Sequence, residues 1–154
     1  ARVFEDTKEC MAAIEAGDIK DGDVVIARNQ GLRGGPAMGG GASLILFALD
    51  AAGLAKTTAF VTDGQLSGLC LKGLTVAEVS PEAAEDGAPI GIVRDGDTVR
   101  VSVKDRSLDL DVSPEELARR TGPGIRIEAS GYLSNFRESV RPMRTGGVLV
   151  PEKK

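Results

Sequence analysis

The chain has 154 residues, a net charge of −4 and 42% hydrophobic residues, as expected for a single globular domain that spans 1–154. Its acidity, with one Tyr, four Phe and no Trp, argues against a nucleic-acid-binding surface. No apolar run reaches the roughly 18 residues of a membrane span, and no basic-then-apolar leader opens the chain. We therefore predict neither membrane insertion nor secretion.

Two residue counts narrow the chemistry further. The chain contains no His, which excludes a Ser-His-Asp triad, a Cys-His pair and any His-containing metal site within it. Its two cysteines, Cys10 and Cys70, form neither a disulfide framework nor a metal-ligand pattern, and they fit a cytoplasmic protein. Proton transfer must therefore use a carboxylate, a Lys, a Tyr, an activated hydroxyl or a group supplied from elsewhere.

The first third of the chain alternates strand and helix signals. We predict a short strand at Val3-Phe4, a helix over 7–16, a strand over 24–28 and an apolar helix over 42–52.

The glycine-rich segment 29–41 precedes the second of these helices. Free backbone N–H groups at a helix start attract carboxylate or phosphate. The segment is neither a Walker loop nor a good dinucleotide-binding fingerprint, because it lacks Gly-Lys-Ser/Thr and is interrupted by Pro36. Anion binding and a plain mobile loop are both compatible with it.

Two apolar runs in the centre of the chain each end at a polar edge. Residues 58–61 lead into an Asp-Gly turn and then Ser67, and residues 74–79 lead into Ser-Pro-Glu, a helix-start signal. Such edges predict a site built on loops at the end of a sheet.

The polar residues of this central region allow more than one interpretation. From its spacing alone Ser67 is a turn residue or a nucleophile or base, and Lys72 and Arg33 are its only evident partners. Glu78 and Glu82 are interpreted as solvated or capping carboxylates.

The rest of the chain predicts short strands with helices inserted between them. We expect a helical turn over 81–85, a hairpin of strands 90–93 and 98–103, and a half-buried strand over 107–112. A capping box at 113–116 opens a helix to Arg120, and a last helix is expected over 130–141. The pattern favours a mixed α/β domain over a pure doubly wound sheet.

Five motifs, in this order, resemble one protein family. They are Gly-Asp-Val-Val-Ile (22–26), Gly-Gly-Pro-Ala-Met (34–38), Thr-Asp-Gly-Gln-Leu-Ser-Gly (62–68), Val-Ser-Pro-Glu-Ala (79–83) and Asp-Gly-Asp (95–97). Their order and intervals are similar to those of the carboxy-terminal domain of the dihydroxy-acid dehydratase / 6-phosphogluconate dehydratase family. The likeness runs from Arg2 to the region of Arg120, and 131–147 resembles the family's final helix.

The resemblance implies a swivelling β/β/α domain with a barrel-like β core and flanking helices, similar to the mobile domain of aconitase. It also implies a partner, the amino-terminal domain of the same protein, which would hold an iron–sulfur cluster and a magnesium ion. No cofactor is expected within this chain. The implied reaction removes water from a small hydroxy-acid substrate, either a 2,3-dihydroxy acid of branched-chain amino acid biosynthesis or a sugar acid. Full-length members are usually homo-oligomers.

The resemblance also assigns site residues. The family's proton-abstracting base is a serine alkoxide, and the motif match gives that role to Ser67. The substrate is expected to contact the turn around this serine, the glycine-rich segment and the residue directly before the Val-Ser-Pro-Glu-Ala motif. These positions are Gly34, Gly35, Met38, Thr62, Asp63, Gly64, Gln65, Gly68 and Glu78.

Three positions depart from the family pattern. Gln65 stands where the family has Arg, Gly40 where it has a magnesium-binding glutamate, and Glu78 where it has His. Loss of an oxygen ligand weakens magnesium binding, and Glu in place of His reverses the local charge preference. The spacing from Ser67 to Glu78 is closer to that of the sugar-acid members.

These departures motivate a second hypothesis, a diverged, non-catalytic binding or assembly module on the same scaffold. A third hypothesis is a stand-alone small subunit like those of the split aconitase-type isomerases. In every case we expect no turnover by the isolated chain.

Overall fold

The structure is a computed structural model that describes residues 1–35, 40–70, 72–124 and 131–150. Its strands are β1 (Arg2–Phe4), β2 (Val24–Ala27), β3 (Ala59–Thr62), β4 (Leu74–Val76), β5 (Val99–Ser102) and β6 (Ser107–Leu110). Its helices are α1 (Thr7–Glu15), α2 (Gly40–Ala51), α3 (Pro89–Ile92), α4 (Pro114–Leu117) and α5 (Tyr132–Ser139), with a 3₁₀ turn at Met143–Thr145. In the part of the chain thus described, every helix is too short or too polar to cross a lipid bilayer.

Strands β1 to β4 form one parallel sheet in the spatial order β1-β2-β3-β4. Val25 of β2 lies opposite Arg2 on one side and Phe60 on the other, and Val61 of β3 lies opposite Val76 of β4. Because all four strands run in the same direction, their carboxyl ends meet at a single edge of the sheet. Ligands of such open sheets bind outside that edge.

Each face of this sheet packs against its own apolar layer, because successive side chains of a strand point to opposite faces. Val25, Ala27 and Phe60 face a cluster formed with α1 and α2. Val24, Ile26, Ala59 and Val61 face a second cluster. Strands β2 and β3 are therefore buried along their whole length, as expected for central parallel strands.

The second apolar layer contains the antiparallel hairpin β5-β6 and helix α3. Val99 and Val101 of β5 and Leu110 of β6 pack against the buried residues of this cluster. The hairpin joins residues 99–102 to 107–110, so the predicted pairing of strands 90–93 and 98–103 is wrong. Residues 89–92 are helical instead, because Pro89 occupies the first helical position and Ile90 is buried against the sheet.

Other predicted elements hold with shifted bounds. The N-cap of the predicted capping box is confirmed, since the Ser113 hydroxyl accepts the Glu116 N–H. The Glu116 carboxylate binds Arg120 instead of completing the box in the described contacts. The predicted helical turn over 81–85 is wrong: this segment is a series of turns, and Glu82 points into the interior.

The mixed α/β class is confirmed. Within the described residues the parallel sheet and the hairpin are separate sheets, so the barrel-like core is not confirmed.

Candidate active site at the carboxyl edge of the parallel sheet

Asp63, directly after β3, connects three loops at the carboxyl edge of the sheet. Its Oδ1 accepts the Gln30 N–H at 2.9 Å, and its Oδ2 accepts the N–H groups of Asn29 at 3.1 Å and Ala83 at 2.9 Å. The side chain is buried, which raises the pKa of the Asp63 carboxyl, while these three donors act in the opposite direction. Asp63 thus fixes the backbone beneath the predicted site.

Glu82 makes a second connection at the same edge. Its Oε2 accepts the Arg33 N–H at 2.9 Å, and the residue is 1% exposed. Of the two interpretations of Glu82, the solvated carboxylate is therefore wrong, and its carboxylate instead accepts the backbone N–H of a distant turn. Burial raises the pKa of Glu82, and the nearby charges of Asp63 and Glu85 raise it further.

The glycine-rich turn, residues 31–35, fits against these groups only because it lacks side chains. A Cβ at Gly31 would lie 2.3 Å from Glu82 Oε2, and one at Gly35 would lie 2.3 Å from the Asn29 carbonyl oxygen. Gly35 also donates its N–H to the Gly31 carbonyl at 3.1 Å. Gly34 and Gly35 are both buried, so in this structure they shape the turn; their predicted contact with substrate stays a prediction.

Ser67 is exposed on the loop that follows β3, and its backbone is fixed. Its N–H donates to Ser43 Oγ, on the first turn of α2, at 3.1 Å. Its own Oγ accepts the Leu69 N–H at 3.3 Å. The structure therefore places the hydroxyl beside the start of α2, where the glycine-rich segment ends.

Of the two suggested cationic partners of Ser67, Lys72 is engaged elsewhere, since it pairs with Asp50 at 2.8 Å. The backbone N–H of Arg33 binds Glu82, and its guanidinium Nε is buried without a hydrogen-bond partner. Neither side chain is hydrogen-bonded to Ser67, so the described contacts of Ser67 include no cationic group.

The neighbouring predicted residues divide into supporting and exposed positions. Thr62 is fully buried, and its Oγ1 accepts the Gly64 N–H at 3.0 Å, which shapes the turn. Gly68 is exposed and has open space around it.

Gln65 and Glu78 lie on either side of this turn. Gln65 is half-buried, with its amide 4.0 Å from the Met143 sulfur. Glu78 is exposed, has a φ of 55°, and its N–H binds the Gly64 carbonyl at 3.0 Å. Met38 lies outside the described residues, and of Gly40 the structure describes only its place at the start of α2.

Several residues that hold this edge together were not predicted from the sequence. Arg28 binds Glu5 at 2.6 Å and donates to the carbonyl oxygens of Gly91 and Val93, which joins the ends of β1 and β2 to α3. Asn29 Nδ2 donates to the other oxygen of Glu5 at 2.9 Å. The one available signal was their position directly after the strands.

An apolar cavity of about 300 Å³ lies elsewhere, between the sheet and the hairpin. Its walls include Ile26, Val61 and Leu110, but not Ser67. The candidate site is therefore defined by its hydrogen bonds and by the edge of the sheet rather than by this cavity.

The described residues of this chain do not by themselves form a site for an iron–sulfur cluster or a magnesium ion. Across 1–35, 40–70, 72–124 and 131–150, no three Cys, Asp or Glu side chains come together in a way that could hold a metal. Cys10 is fully buried, which raises the pKa of its thiol to about 12, far from the thiolate that binds iron. Any such group would have to be held by residues outside this set.

Comparison with known proteins supports the resemblance seen in the motifs. Residues 1–147 match the family model described as "Dihydroxy-acid/6-phosphogluconate dehydratase C-terminal". The chain is 43% identical over 154 residues to the dihydroxy-acid dehydratase of Pyrococcus furiosus, and 38% identical over 151 residues to dihydroxy-acid dehydratase 1 of Methanosarcina acetivorans. Each alignment covers 97% of this chain but 27% of the relative, so the chain spans about a quarter of the relatives' length. The chain therefore belongs to the dihydroxy-acid/6-phosphogluconate dehydratase family and corresponds to its carboxy-terminal domain.

Proposed function

We propose that this chain is the carboxy-terminal lid domain of a hydro-lyase, and that Ser67 is the base that removes a proton from a 2,3-dihydroxy acid. The observation that carries the proposal is the placement of Ser67. Ser67 is an exposed residue on the loop after β3, at the carboxyl edge of the sheet, and its backbone N–H binds Ser43 Oγ at 3.1 Å. An accessible group on a fixed backbone is what a general base requires.

The chemical step assigned to this chain is proton removal from C2. Ser67 Oγ, as the alkoxide, takes the proton, and the electrons of the broken C–H bond form the double bond to C3. The C3–O bond breaks and the hydroxyl leaves, to become water once protonated by a group outside this chain. The resulting enol then tautomerises to a 2-keto acid.

The start of α2 is the proposed site for the substrate carboxylate. The first turn of this twelve-residue helix carries no acidic residue, and a helix N-terminus favours an anion. The Ser67–Ser43 hydrogen bond places the proposed base next to this turn. A carboxylate held there would present its C2 carbon near Ser67.

Gln65 and Glu78 are proposed to select the rest of the substrate. Both belong to the segments that converge on Gly64. A neutral amide and a carboxylate favour substrate hydroxyl groups over a second anionic group. This preference, and the names of the relatives, favour a 2,3-dihydroxy acid over a phosphorylated sugar acid.

The amino-terminal part of the longer protein is the proposed partner. The Leu69 N–H is the one donor to Ser67 Oγ in the described contacts, which is too little to make a serine basic near neutral pH. We assign the remaining stabilisation of the alkoxide to that partner, against which this domain would close with a swivelling motion. Leu69, which is 83% exposed beside Ser67, would be covered on closure.

The non-catalytic alternative has less support. It rests on the departures at Gly40, Gln65 and Glu78, whereas Ser67 is retained, exposed and oriented by its neighbours. The relatives that match along 97% of this chain carry enzyme names.

Replacing Ser67 by Ala in the longer protein tests the proposal. We expect kcat to fall by about 10²- to 10⁴-fold with dihydroxy-acid substrates, because a general base contributes that much. The matched control is Ser107→Ala in the hairpin, which should retain activity. Equal activity of the two variants would remove Ser67 from this role.

A further inference from the structure

The glycine-rich turn 31–35 is bordered by two buried acceptor atoms that have no donor. Among the described residues, Glu82 Oε1 and Asn29 Oδ1 are both shielded from solvent and lack a hydrogen-bond partner. The turn lies against both residues, since a Cβ at Gly31 would be 2.3 Å from Glu82 Oε2 and one at Gly34 would be 2.6 Å from Asn29 Oδ1. A buried acceptor without a donor is costly, and a buried unpaired charge more so.

The available backbone donors are divided unequally between the two buried carboxyl groups. Asp63 accepts three N–H groups, whereas Glu82 accepts one, from Arg33. When two buried carboxyl groups interact, the one that accepts more N–H hydrogen bonds ionises first, and its charge favours the protonated form of the other. Asp63 therefore carries the negative charge, and Glu82 keeps its proton.

The other charges around Glu82 do not reverse this assignment. Glu85 accepts the Glu82 N–H at 2.9 Å and is paired with Arg144, also at 2.9 Å. Arg33 makes no ion pair with Glu82 in the described contacts, and its nearby positive charge opposes the rise in the Glu82 pKa less strongly than burial raises it. A proton on Glu82 removes the uncompensated charge at Oε1.

We propose that Glu82 is a positioning residue that acts as a neutral carboxylic acid, whose Oε2 holds the glycine-rich turn against the Asp63 loop that leads to Ser67. The turn precedes α2, the helix whose first residues are assigned to the substrate carboxylate. The part of this inference that concerns the active site rests on the proposed function; the protonation of Glu82 does not.

Amide hydrogen exchange in the longer protein tests the protonation. The folded state binds the Glu82 proton at pH values where the opened segment, with a pKa of about 4.3, has released it. Protection of the Arg33 amide should therefore fall by about tenfold per pH unit above that pKa, until Glu82 ionises in the closed state. The Gln side chain stays neutral at every pH. In Glu82→Gln, the protection of the Arg33 amide, taken as the ratio of its intrinsic to its measured exchange rate, should therefore not fall with pH.

Two references keep the exchange experiment decisive. The exposed Glu115→Gln should behave as the wild type, and the Thr58 amide, bonded to the Leu54 carbonyl, reports on a distant turn within the same sample. A wild-type ratio of Arg33 to Thr58 protection that is constant from pH 5 to 8 would overturn the proposal. So would a Gln variant that has lost Arg33 protection at pH 5, because the turn would then need the ionised carboxylate.

Kinetics separate positioning from general stability. The ratio of kcat/KM for Glu82→Gln to that of the wild type should be constant while Glu82 keeps its proton in the closed state. It should rise with pH once Glu82 ionises there, mainly through a lower KM of the variant relative to the wild type. A ratio that does not vary with pH would confine Glu82 to a structural role. If Ser67→Ala retained activity, the proposed base would be lost, yet the exchange measurement would still decide the state of Glu82.

Discussion

Gly35 and Gly68 are indistinguishable as letters in the sequence, but their surroundings in the fold are opposite. A Cβ at Gly35 would lie 2.3 Å from the Asn29 carbonyl oxygen, whereas one at Gly68 would meet nothing within 4 Å. The clash at Gly35 involves backbone, which cannot rotate away as a side chain can.

Gly35→Ala should therefore lower the free energy of unfolding by about 2 kcal/mol or more, as overpacking of a tight contact does. The matched control, Gly68→Ala, should change it by less than about 0.5 kcal/mol. Urea unfolding of both variants measures the difference. Similar urea midpoints for the two variants would contradict the close backbone contact at Gly35.

At the residue scale, the sequence predicted that Ser67 lies on a loop, but it did not predict the buried groups that hold the neighbouring backbone. An Asp-Gly turn followed by a small polar residue indicates a loop, and Ser67 is indeed exposed on one. The burial of Glu82 depends on the Arg33 N–H, 49 positions earlier in the chain. No local pattern encodes such a contact, so a buried glutamate looked like a solvated one.

Helix signals at the element scale were reliable where a side chain caps the helix. α1 begins after Asp6, whose Oδ1 accepts the Lys8 N–H at 2.7 Å and the Glu9 N–H at 3.3 Å. The wrong strand prediction at 89–92 arose where no side-chain cap gives a local signal. A short apolar run fits a buried strand or a buried helical turn equally well, and packing against the sheet decides between them.

Asp6→Ala should lower the free energy of unfolding by about 1 kcal/mol, because two N–H groups at the start of α1 lose their acceptor. Asp6→Asn keeps an acceptor oxygen and should recover most of that loss. Faster exchange of the Lys8 and Glu9 amides in the Ala variant would identify the cap as the cause. Equal stability of the Ala and Asn variants would contradict it.

At the scale of the whole molecule, Arg120 connects the layer on the hairpin side of the sheet. Its guanidinium binds Asp97 at 2.5 and 3.1 Å, Glu116 at 3.0 Å and the Ile92 carbonyl at 3.2 Å. The side chains of Arg120 and Asp97 are 7% and 11% exposed. The Arg120 hydrogen bonds hold the pKa of Asp97 below its usual value.

This pair should make stability depend on pH in the acid range. Because the pKa of Asp97 is lower in the folded state, its contribution is complete above the unfolded pKa of about 3.9 and is lost as pH falls through the folded pKa. The difference in Tm between the wild type and Asp97→Asn should be constant above about pH 5 and shrink toward pH 3. A gap that widens on acidification would contradict the pairing.

Because the four strands of the sheet are parallel, their amino ends and carboxyl ends lie on opposite sides of the sheet, and the two sides should differ in their tolerance of insertions. The turns at Gly17 and Gly53 precede β2 and β3, and open space surrounds both glycines. They lie at the amino ends of the strands, away from the edge where Asp63 and Ser67 are found. A short tag inserted beside these glycines, with both positive-φ glycines kept, should therefore leave the Asp63 edge undisturbed and would report on the closure proposed for this domain.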